Sequence, residues 1–231
     1  MSFFQGTRIP LSEKTFTNLH LAQLYDEHAQ SFMGLVYRRF VARIAGINPA
    51  GKRVLDVGTG SGLLAIELAK VHPDWQITGV DISDHMLDLA RQNAAHKNLD
   101  NKIDFRQASA EELPFVDGQF ALVTSNASLH LWTNPFKVFR EIVRVTSPGG
   151  YCLVWDNLRL TVFSPVLNLI GRAMGMNTSQ RRLWMQAMHS SYTIGEVKAI
   201  MRESSVKDAR IFIDPRILYL GIEWGGEVEK T

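Results

Sequence analysis

Short apolar runs alternate with segments of helical period from residue 53 onward. The runs have the length and composition of buried strands, whereas the other segments repeat their apolar residues every three or four positions, as amphipathic helices do. We predict strands in RVLDV, QITGVD, KIDFRQ, FALVTSN and YCLVWD, and helices in GLLAIELAKVH, SDHMLDLARQNAAHKN and NPFKVFREIVRVTSPGG. Ser83 is placed to be the N-cap of the second helix, and Pro148 with two glycines would end the third. The alternation predicts an α/β fold with a doubly wound, mostly parallel sheet.

Two helical regions fall outside this alternation. Residues 16–47 read as two helices, and we expect residues 1–48 to form an N-terminal helical cap on a core of residues 49–231. The apolar stripe of the cap consists of Phe32, Leu35, Val36 and Phe40. An insertion at about 158–192 carries two more helix candidates. After it, a helix in TIGEVKAIMRESS and strands in VKDARIFID and RILYLGIEW would complete a sheet of seven strands.

Charge and cysteine content narrow the class of protein. The 25 basic and 23 acidic residues give a net charge of +2, which offers no bulk electrostatic reason to expect a nucleic acid as partner. The single cysteine, Cys152, excludes an internal disulfide and a cysteine metal cluster, and its place in an apolar strand predicts an inert thiol. No apolar run approaches the roughly 20 residues of a membrane helix, so we expect a soluble cytoplasmic protein.

Three glycines follow the first predicted strand in the stretch VLDVGTGSG. Gly58, Gly60 and Gly62 lie in the turn into the next helix, where backbone N–H groups can approach a ligand closely. A parallel sheet binds ligands at this carboxyl edge. A tight turn without a ligand would use the same glycines. A dinucleotide fingerprint would place its third glycine at position 63, which is Leu63.

The stretch resembles the first motif of the class I S-adenosylmethionine-dependent methyltransferases, in which an acidic residue stands two positions before G-x-G-x-G. Asp56 matches that acidic residue, and Asp81 in GVDIS matches the family's ribose-binding carboxylate. An alternative is that Asp81 only caps the following helix, although Ser83 is better placed for that role. The segments LYDEHA, AEELPF and VTSPGG extend the resemblance from Tyr25 to Asp156. They are similar to the small-molecule branch, which is UbiE-like or methyltransferase type 11.

The resemblance implies a Rossmann-like methyltransferase fold, S-adenosyl-L-methionine as cofactor, a small-molecule methyl acceptor and no metal. Methyl transfer would then be an in-line displacement aided by alignment and exclusion of water. The cofactor-binding residues implied are Tyr25, Asp56, Gly58, Thr59, Gly60, Gly62, Asp81, Ile82, Met86, Ser109, Ala110, Glu111 and Asn126. A cofactor-binding protein without transferase activity and a nicotinamide-dependent oxidoreductase are the alternatives.

Three positions depart from the family pattern. Ser109 replaces the usual aspartate before the alanine of the adenine segment, which would weaken a contact to the adenine amino group. His130 is followed by Leu131 where relatives often have two histidines. The fourth strand ends in SNAS rather than in an Asn-Pro-Pro-Tyr type of tetrapeptide, which argues against methylation of DNA bases.

A general base is needed only if the acceptor must lose a proton. His130, just after the fourth strand, is the best-placed candidate, and a structural histidine bonded to backbone is the alternative. Asn126 is expected near the transferred methyl group. We expect the insertion and the N-terminal helices to form a lid that selects the acceptor, unless they only pack onto the domain. The expected apolar wall of this lid consists of Phe163, Met174, Met176, Trp184, Met185 and Met188.

Overall fold

The computed structural model describes residues 7–11, 17–47, 49–160, 163–204, 206 and 208–225. Residues 1–6, 12–16 and 48 of the predicted cap lie outside the described part of the chain, as do residues 161–162, 205, 207 and 226–231 of the predicted core. The helices are α1 (Leu19–Phe32), α2 (Gly34–Ile44), α3 (Leu63–Val71), α4 (Asp84–Ala95), α5 (Pro135–Val145), α6 (Ser164–Ala173), α7 (Thr178–Ser190) and α8 (Ile194–Glu203). The strands are β1 (Arg53–Val57), β2 (Gln76–Asp81), β3 (Ile103–Gln107), β4 (Phe120–Asn126), β5 (Thr146–Asn157), β6 (Arg210–Asp214) and β7 (Tyr219–Gly225).

The strands form one seven-stranded sheet in the order β3-β2-β1-β4-β5-β7-β6. β1 to β5 pair in parallel, and β7 pairs antiparallel with both β5 and β6. The strand order reverses direction at β1 and β4, so the carboxyl ends of these two strands flank the crevice in which such sheets bind ligands. The predicted doubly wound, mostly parallel α/β fold with a helical insertion after β5 is confirmed.

Local capping explains several element boundaries. The Ser83 hydroxyl accepts a hydrogen bond from the Met86 N–H at 3.3 Å, which confirms the predicted N-cap of α4. The helix α5 ends at Val145, shortly before the predicted stop at Pro148, and β5 begins at Thr146 rather than at the predicted Tyr151. Pro148 cannot continue the helix, and the segment instead joins the sheet across a register shift between Phe120 and Leu122.

The core lies on both faces of the sheet. Successive residues of β5 point to opposite faces, so Leu153 packs with α1 to α4 whereas Cys152 packs with α5 and α8. α2 is part of this core, because Phe40 and Ile44 are fully buried. Leu35, which was predicted in the same stripe, is instead 49% exposed.

Ion pairs attach α2 to the far end of the sheet. The Arg43 guanidinium binds the carboxylate of Glu223 on β7, and Arg39 Nε donates to Asp214 on β6 at 2.6 Å. Glu223 is buried and also accepts from the Tyr151 hydroxyl at 2.7 Å. α2 is therefore held to the same sheet as the core helices, and it carries α1 to the carboxyl edge.

Candidate active site

The glycine turn begins where β1 ends at the switch point of the sheet. Gly60 has φ +54°, and its N–H donates to Asp81 Oδ2 at 2.9 Å. A Cβ added at Gly58 would lie 2.0 Å from the Ser128 hydroxyl oxygen, whereas one added at Gly60 would lie 3.8 Å from the Tyr25 ring. Gly58 therefore allows the turn to pack on the loop after β4, and Gly60 keeps space open between the turn and Tyr25.

Asp56 lies beneath this turn. Its side chain is 1% exposed and accepts hydrogen bonds from the Thr59 hydroxyl at 2.8 Å and the Thr124 hydroxyl at 3.0 Å. Burial raises the pKa of the Asp56 carboxyl to about 7, against the lowering effect of the two hydroxyls. Asp56 and Thr59 thus tie the glycine turn to β4.

Asp81 ends β2 beside the turn. One carboxylate oxygen accepts from Gly60 N–H, and the other accepts from Ser83 N–H at 3.0 Å. Burial raises the pKa of Asp81, and the backbone N–H donors oppose that rise. Each oxygen keeps a further acceptor position, so the carboxylate can hold two adjacent hydroxyls while it also orders the two loops.

A cavity, here called the glycine cavity, opens above the turn. Its lining includes seven of the predicted site residues: Tyr25, Gly58, Gly60, Asp81, Ile82, Met86 and Ala110. The lining also includes residues that sequence reasoning missed, namely Val80, Ala108, Ala127, Ser128, Leu131 and Trp132. These residues are mostly apolar and follow β2, β3 and β4, so their positions depend on the strand order rather than on a motif.

The other predicted cofactor residues lie around the glycine cavity without lining it. Gly62 is the N-cap of α3 with φ +77°. The Ser109 hydroxyl accepts from the Glu111 N–H at 3.2 Å, and the Glu111 carboxylate accepts from the Asn134 N–H at 2.9 Å. These contacts order the loop after β3 against the start of α5. Asn126 is 9% exposed, and its buried Oδ1 has no hydrogen-bond partner.

A second cavity, here called the apolar cavity, adjoins the first. It is lined by Leu11, Tyr25, His28, Met33, Ala127, His130, Asn157, Leu183, Trp184, Ala187 and Tyr219. Tyr25 and Ala127 line both cavities and so mark their boundary. Ala127 has φ +54°, a strained conformation for a residue other than glycine, and such strain concentrates at functional sites.

His130 forms a buried pair with Asp156, which the sequence analysis did not assign to the site. The ring atom Nδ1 of His130 lies 2.8 Å and 3.0 Å from the two carboxylate oxygens of Asp156. The backbone N–H of His130 donates to the same carboxylate at 2.7 Å. His130 and Asp156 are 4% and 2% exposed. With Nδ1 as the donor to Asp156, Nε2 is the ring nitrogen that can accept a proton. The side-chain partner of His130 is therefore a carboxylate, unlike in the backbone-bonded alternative.

His28 also contributes to the apolar cavity. Its side chain is buried, its Nδ1 has no hydrogen-bond partner, and burial lowers the pKa of the imidazole. A neutral His28 in this apolar surrounding leaves one polar atom available to a ligand group. Helical histidines often lie on solvated faces, so no sequence pattern marks this buried position.

Three segments cover the apolar cavity. α7 contributes Leu183, Trp184 and Ala187, and α1 contributes Tyr25 and His28. The segment 7–11 crosses their ends, where the Arg8 guanidinium donates to the His130 carbonyl at 3.0 Å and to the Ser190 carbonyl at 2.6 Å.

The expected apolar wall is only partly found. Trp184 lines the apolar cavity, and Met176 and Met188 are buried. Phe163 and Met174 are instead 50% and 46% exposed, because the face of α6 that bears them points away from α7.

α1 is tied to the glycine turn by a short hydrogen-bond network. The Asn93 side chain on α4 donates to Asp26 Oδ1 at 3.0 Å and to the Ser61 carbonyl at 3.0 Å, and Gln30 donates to Asp26 Oδ2 at 2.7 Å. Asp26 is 7% exposed and directly follows Tyr25. The network, here called the Asp26–Asn93 latch, therefore fixes Tyr25 over the boundary of the two cavities.

Two further observations apply to the whole described part of the chain. No group of three or more His, Cys, Asp or Glu side chains among the described residues is arranged to hold a metal ion. None of the described helices is both long and apolar enough to cross a membrane.

Comparisons with known proteins agree with this geometry. Residues 48–203 match a family described as a methyltransferase domain. The chain is 36% identical over 143 residues to 27-O-demethylrifamycin SV methyltransferase of Amycolatopsis mediterranei. The aligned region covers 61% of this chain and 52% of that protein. It is 34% identical over 142 residues to the ubiquinone/menaquinone biosynthesis C-methyltransferase UbiE of Pseudomonas putida, which covers 61% of this chain and 53% of that protein. The chain thus spans about half the length of these curated relatives.

The fold likeness extends over nearly the whole chain. A crystal structure from Methanococcus maripaludis, described as an S-adenosyl-L-methionine-dependent methyltransferase, superposes with a TM-score of 0.74 at 21% identity. The match covers 94% of this chain and 97% of that one. The matched domain agrees with the strand order and with the glycine turn and its two carboxylates. The chain therefore belongs to the class I S-adenosylmethionine-dependent methyltransferase family.

Proposed function

We propose that the protein transfers the methyl group of S-adenosyl-L-methionine to a small molecule bound in the apolar cavity. The observation that carries the proposal is the contact between the two cavities at Tyr25 and Ala127. A cofactor in the glycine cavity and an acceptor in the apolar cavity would meet at this boundary. Alignment of the two molecules and exclusion of water are the main contributions a protein makes to such a displacement.

The residues of the glycine cavity fit this cofactor. Asp81 has free acceptor positions for the two ribose hydroxyls, and Gly60 leaves the backbone open toward Tyr25. Ile82, Met86 and Ala110 supply apolar walls for a planar ring. When bound, S-adenosylmethionine supplies an electrophilic methyl group on a sulfonium centre.

The apolar cavity supports an acceptor that is partly apolar and carries a hydroxyl group or an acidic carbon. We infer that His130 accepts the acceptor's proton at Nε2 and so leaves an electron pair on the acceptor's oxygen or carbon atom. Asp156 then stabilises the imidazolium through Nδ1, which it also orients. Asn126, whose Oδ1 lacks a partner, is the candidate polar contact near the methyl group. The cytoplasmic location and the absence of nucleic acid as a partner stay predictions.

Calorimetry with S-adenosylmethionine, S-adenosylhomocysteine and NAD on one preparation tests the cofactor. We expect both sulfur compounds to bind and NAD not to bind. NAD binding alone would favour an oxidoreductase and would overturn the proposal. An acceptor screen with a labelled methyl donor then separates a transferase from a protein that only binds the cofactor.

The role of His130 is tested with the acceptor that the screen identifies. His130→Asn and Asp156→Asn should each lower kcat by about 10²- to 10⁴-fold, the range that general base catalysis contributes, with unchanged cofactor affinity. His96→Asn, on the exposed end of α4, is the matched control and should keep wild-type turnover. Full activity of folded His130→Asn would leave alignment alone as the mechanism.

A further inference from the structure

α6 exposes an apolar face to solvent. Five large apolar side chains at helical spacing are between 43% and 67% exposed, namely Phe163, Val166, Leu169, Ile170 and Met174. The opposite face packs on α7, because Leu167 is buried and a Cβ at Gly171 would lie 3.1 Å from the Arg181 side chain. A contiguous apolar face that is exposed in this way often marks a contact with another surface. Within the described part of the chain, α6 is covered on one side only.

The charged residues of the α6–α7 segment itself all have one sign. Residues 157–195 contain four arginines and no aspartate or glutamate, although 23 of the 231 residues of the chain are acidic. Arg159 is buried and paired with Glu196, so it does not contribute to the surface. Arg172 and Arg182 are exposed. Arg181 is half-buried, and its guanidinium donates a hydrogen bond to the Met176 carbonyl. The α6–α7 hairpin therefore combines an exposed apolar surface with arginines and with no acidic residue of its own.

We propose that the α6–α7 hairpin docks on the surface of an anionic lipid membrane. An amphipathic helix of this kind lies in the plane of the interface, with its apolar side chains at the boundary between headgroups and acyl chains. Arg172 and Arg182 would bind lipid phosphates while their stems cover apolar surface. A second copy of this chain fits less well, because a twofold contact would bring two hairpins together that carry arginines and no acidic partner.

Docking would bring the membrane next to the apolar cavity. α7 packs on α6 and also contributes Trp184 and Ala187 to that cavity. If the proposed function holds, an apolar acceptor dissolved in the membrane would have a short path to the site. Docking itself does not depend on the proposed function.

Vesicle flotation with the full chain tests the proposal. We expect binding to vesicles of phosphatidylcholine with phosphatidylglycerol, and weaker binding to phosphatidylcholine alone. The double variant Leu169→Ser/Ile170→Ser should lower the partition coefficient by about 30-fold, from about 1 kcal/mol of half-exposed apolar surface per side chain. Arg172→Gln and Arg182→Gln should each lower it by about fivefold, and on the anionic vesicles only.

Val116→Ser is the matched control, because Val116 is 70% exposed in the loop between β3 and β4. It should leave the partition coefficient unchanged, and circular dichroism should show that every variant is folded. Failure of the wild-type chain to bind anionic vesicles would overturn the proposal. So would an equal loss of binding in Val116→Ser. A dimer in ultracentrifugation that dissociates in Leu169→Ser/Ile170→Ser would assign the face to self-association instead.

Discussion

Asp56→Asn should make the folded protein more stable at neutral and alkaline pH. The Asp56 carboxyl has a pKa of about 7 in the fold against 3.8 when solvated, because burial outweighs its two hydroxyl donors. The folded state therefore keeps this proton to a higher pH than the unfolded state does. Stability is lost as pH rises from about 4 through about 7, and the loss reaches about 4 kcal/mol, since each pH unit between the two pKa values is worth about 1.4 kcal/mol. Asparagine is neutral in both states and can still bond Thr59 and Thr124.

Urea unfolding followed by tryptophan fluorescence at pH 5, 6.5 and 8 measures this effect. The free energy of unfolding of Asp56→Asn, minus that of wild type, should increase by about 3 kcal/mol between pH 5 and pH 8. Asp88→Asn, at a carboxylate whose side chain is 62% exposed, is the control and should follow the wild-type pH dependence. A difference between Asp56→Asn and wild type that does not change with pH would refute the reasoning, because Asp56 would then ionise alike in both states.

Three further predictions concern the cofactor site and the core. Asp81→Ala should weaken S-adenosylmethionine binding by roughly 2–4 kcal/mol in calorimetry, because charge-assisted hydrogen bonds to the ribose are lost, and wild-type affinity would contradict the assignment. Asn93→Ala opens the Asp26–Asn93 latch, so limited proteolysis should cut α1 faster and cofactor affinity should fall; unchanged rates would mean that α1 is held by packing alone. Burial raises the pKa of the Cys152 thiol to about 12, so Cys152→Ala should lose about 1 kcal/mol of stability and keep its turnover per folded molecule, whereas loss of turnover would indicate covalent catalysis.

The parts of the fold that follow from local chemistry were predictable. Ser83 caps α4 because a hydroxyl before a helix satisfies a free N–H, and the glycine turn follows β1 because few other residues adopt its backbone angles. The early start of β5 was not predictable, because only the pairing of Thr146 with Phe120 brings this segment into the sheet.

The apolar cavity was much harder to predict, because its lining comes from distant segments. Asp156 reaches His130 because β4 and β5 are parallel neighbours, with Asn126 opposite Trp155. An acidic residue at the end of β5 was the available signal, and it required the strand order to be used. Leu11, Trp184 and Tyr219 meet there by tertiary packing alone, and no spacing in the sequence relates them.

The position of β7 has a consequence for how the chain acquires its structure. β7 is the last described strand, yet it lies between β5 and β6, and residues 158–218 separate it from β5. During synthesis, the edge of β5 that pairs with β7 therefore stays unpaired until the ribosome has made this interval and β7 itself. An unpaired strand edge is a template for association between chains, so the nascent protein is vulnerable to aggregation until β7 has left the ribosome and paired with β5. The antiparallel strand closes that edge by a non-local pairing, which makes it the expected slow step of folding.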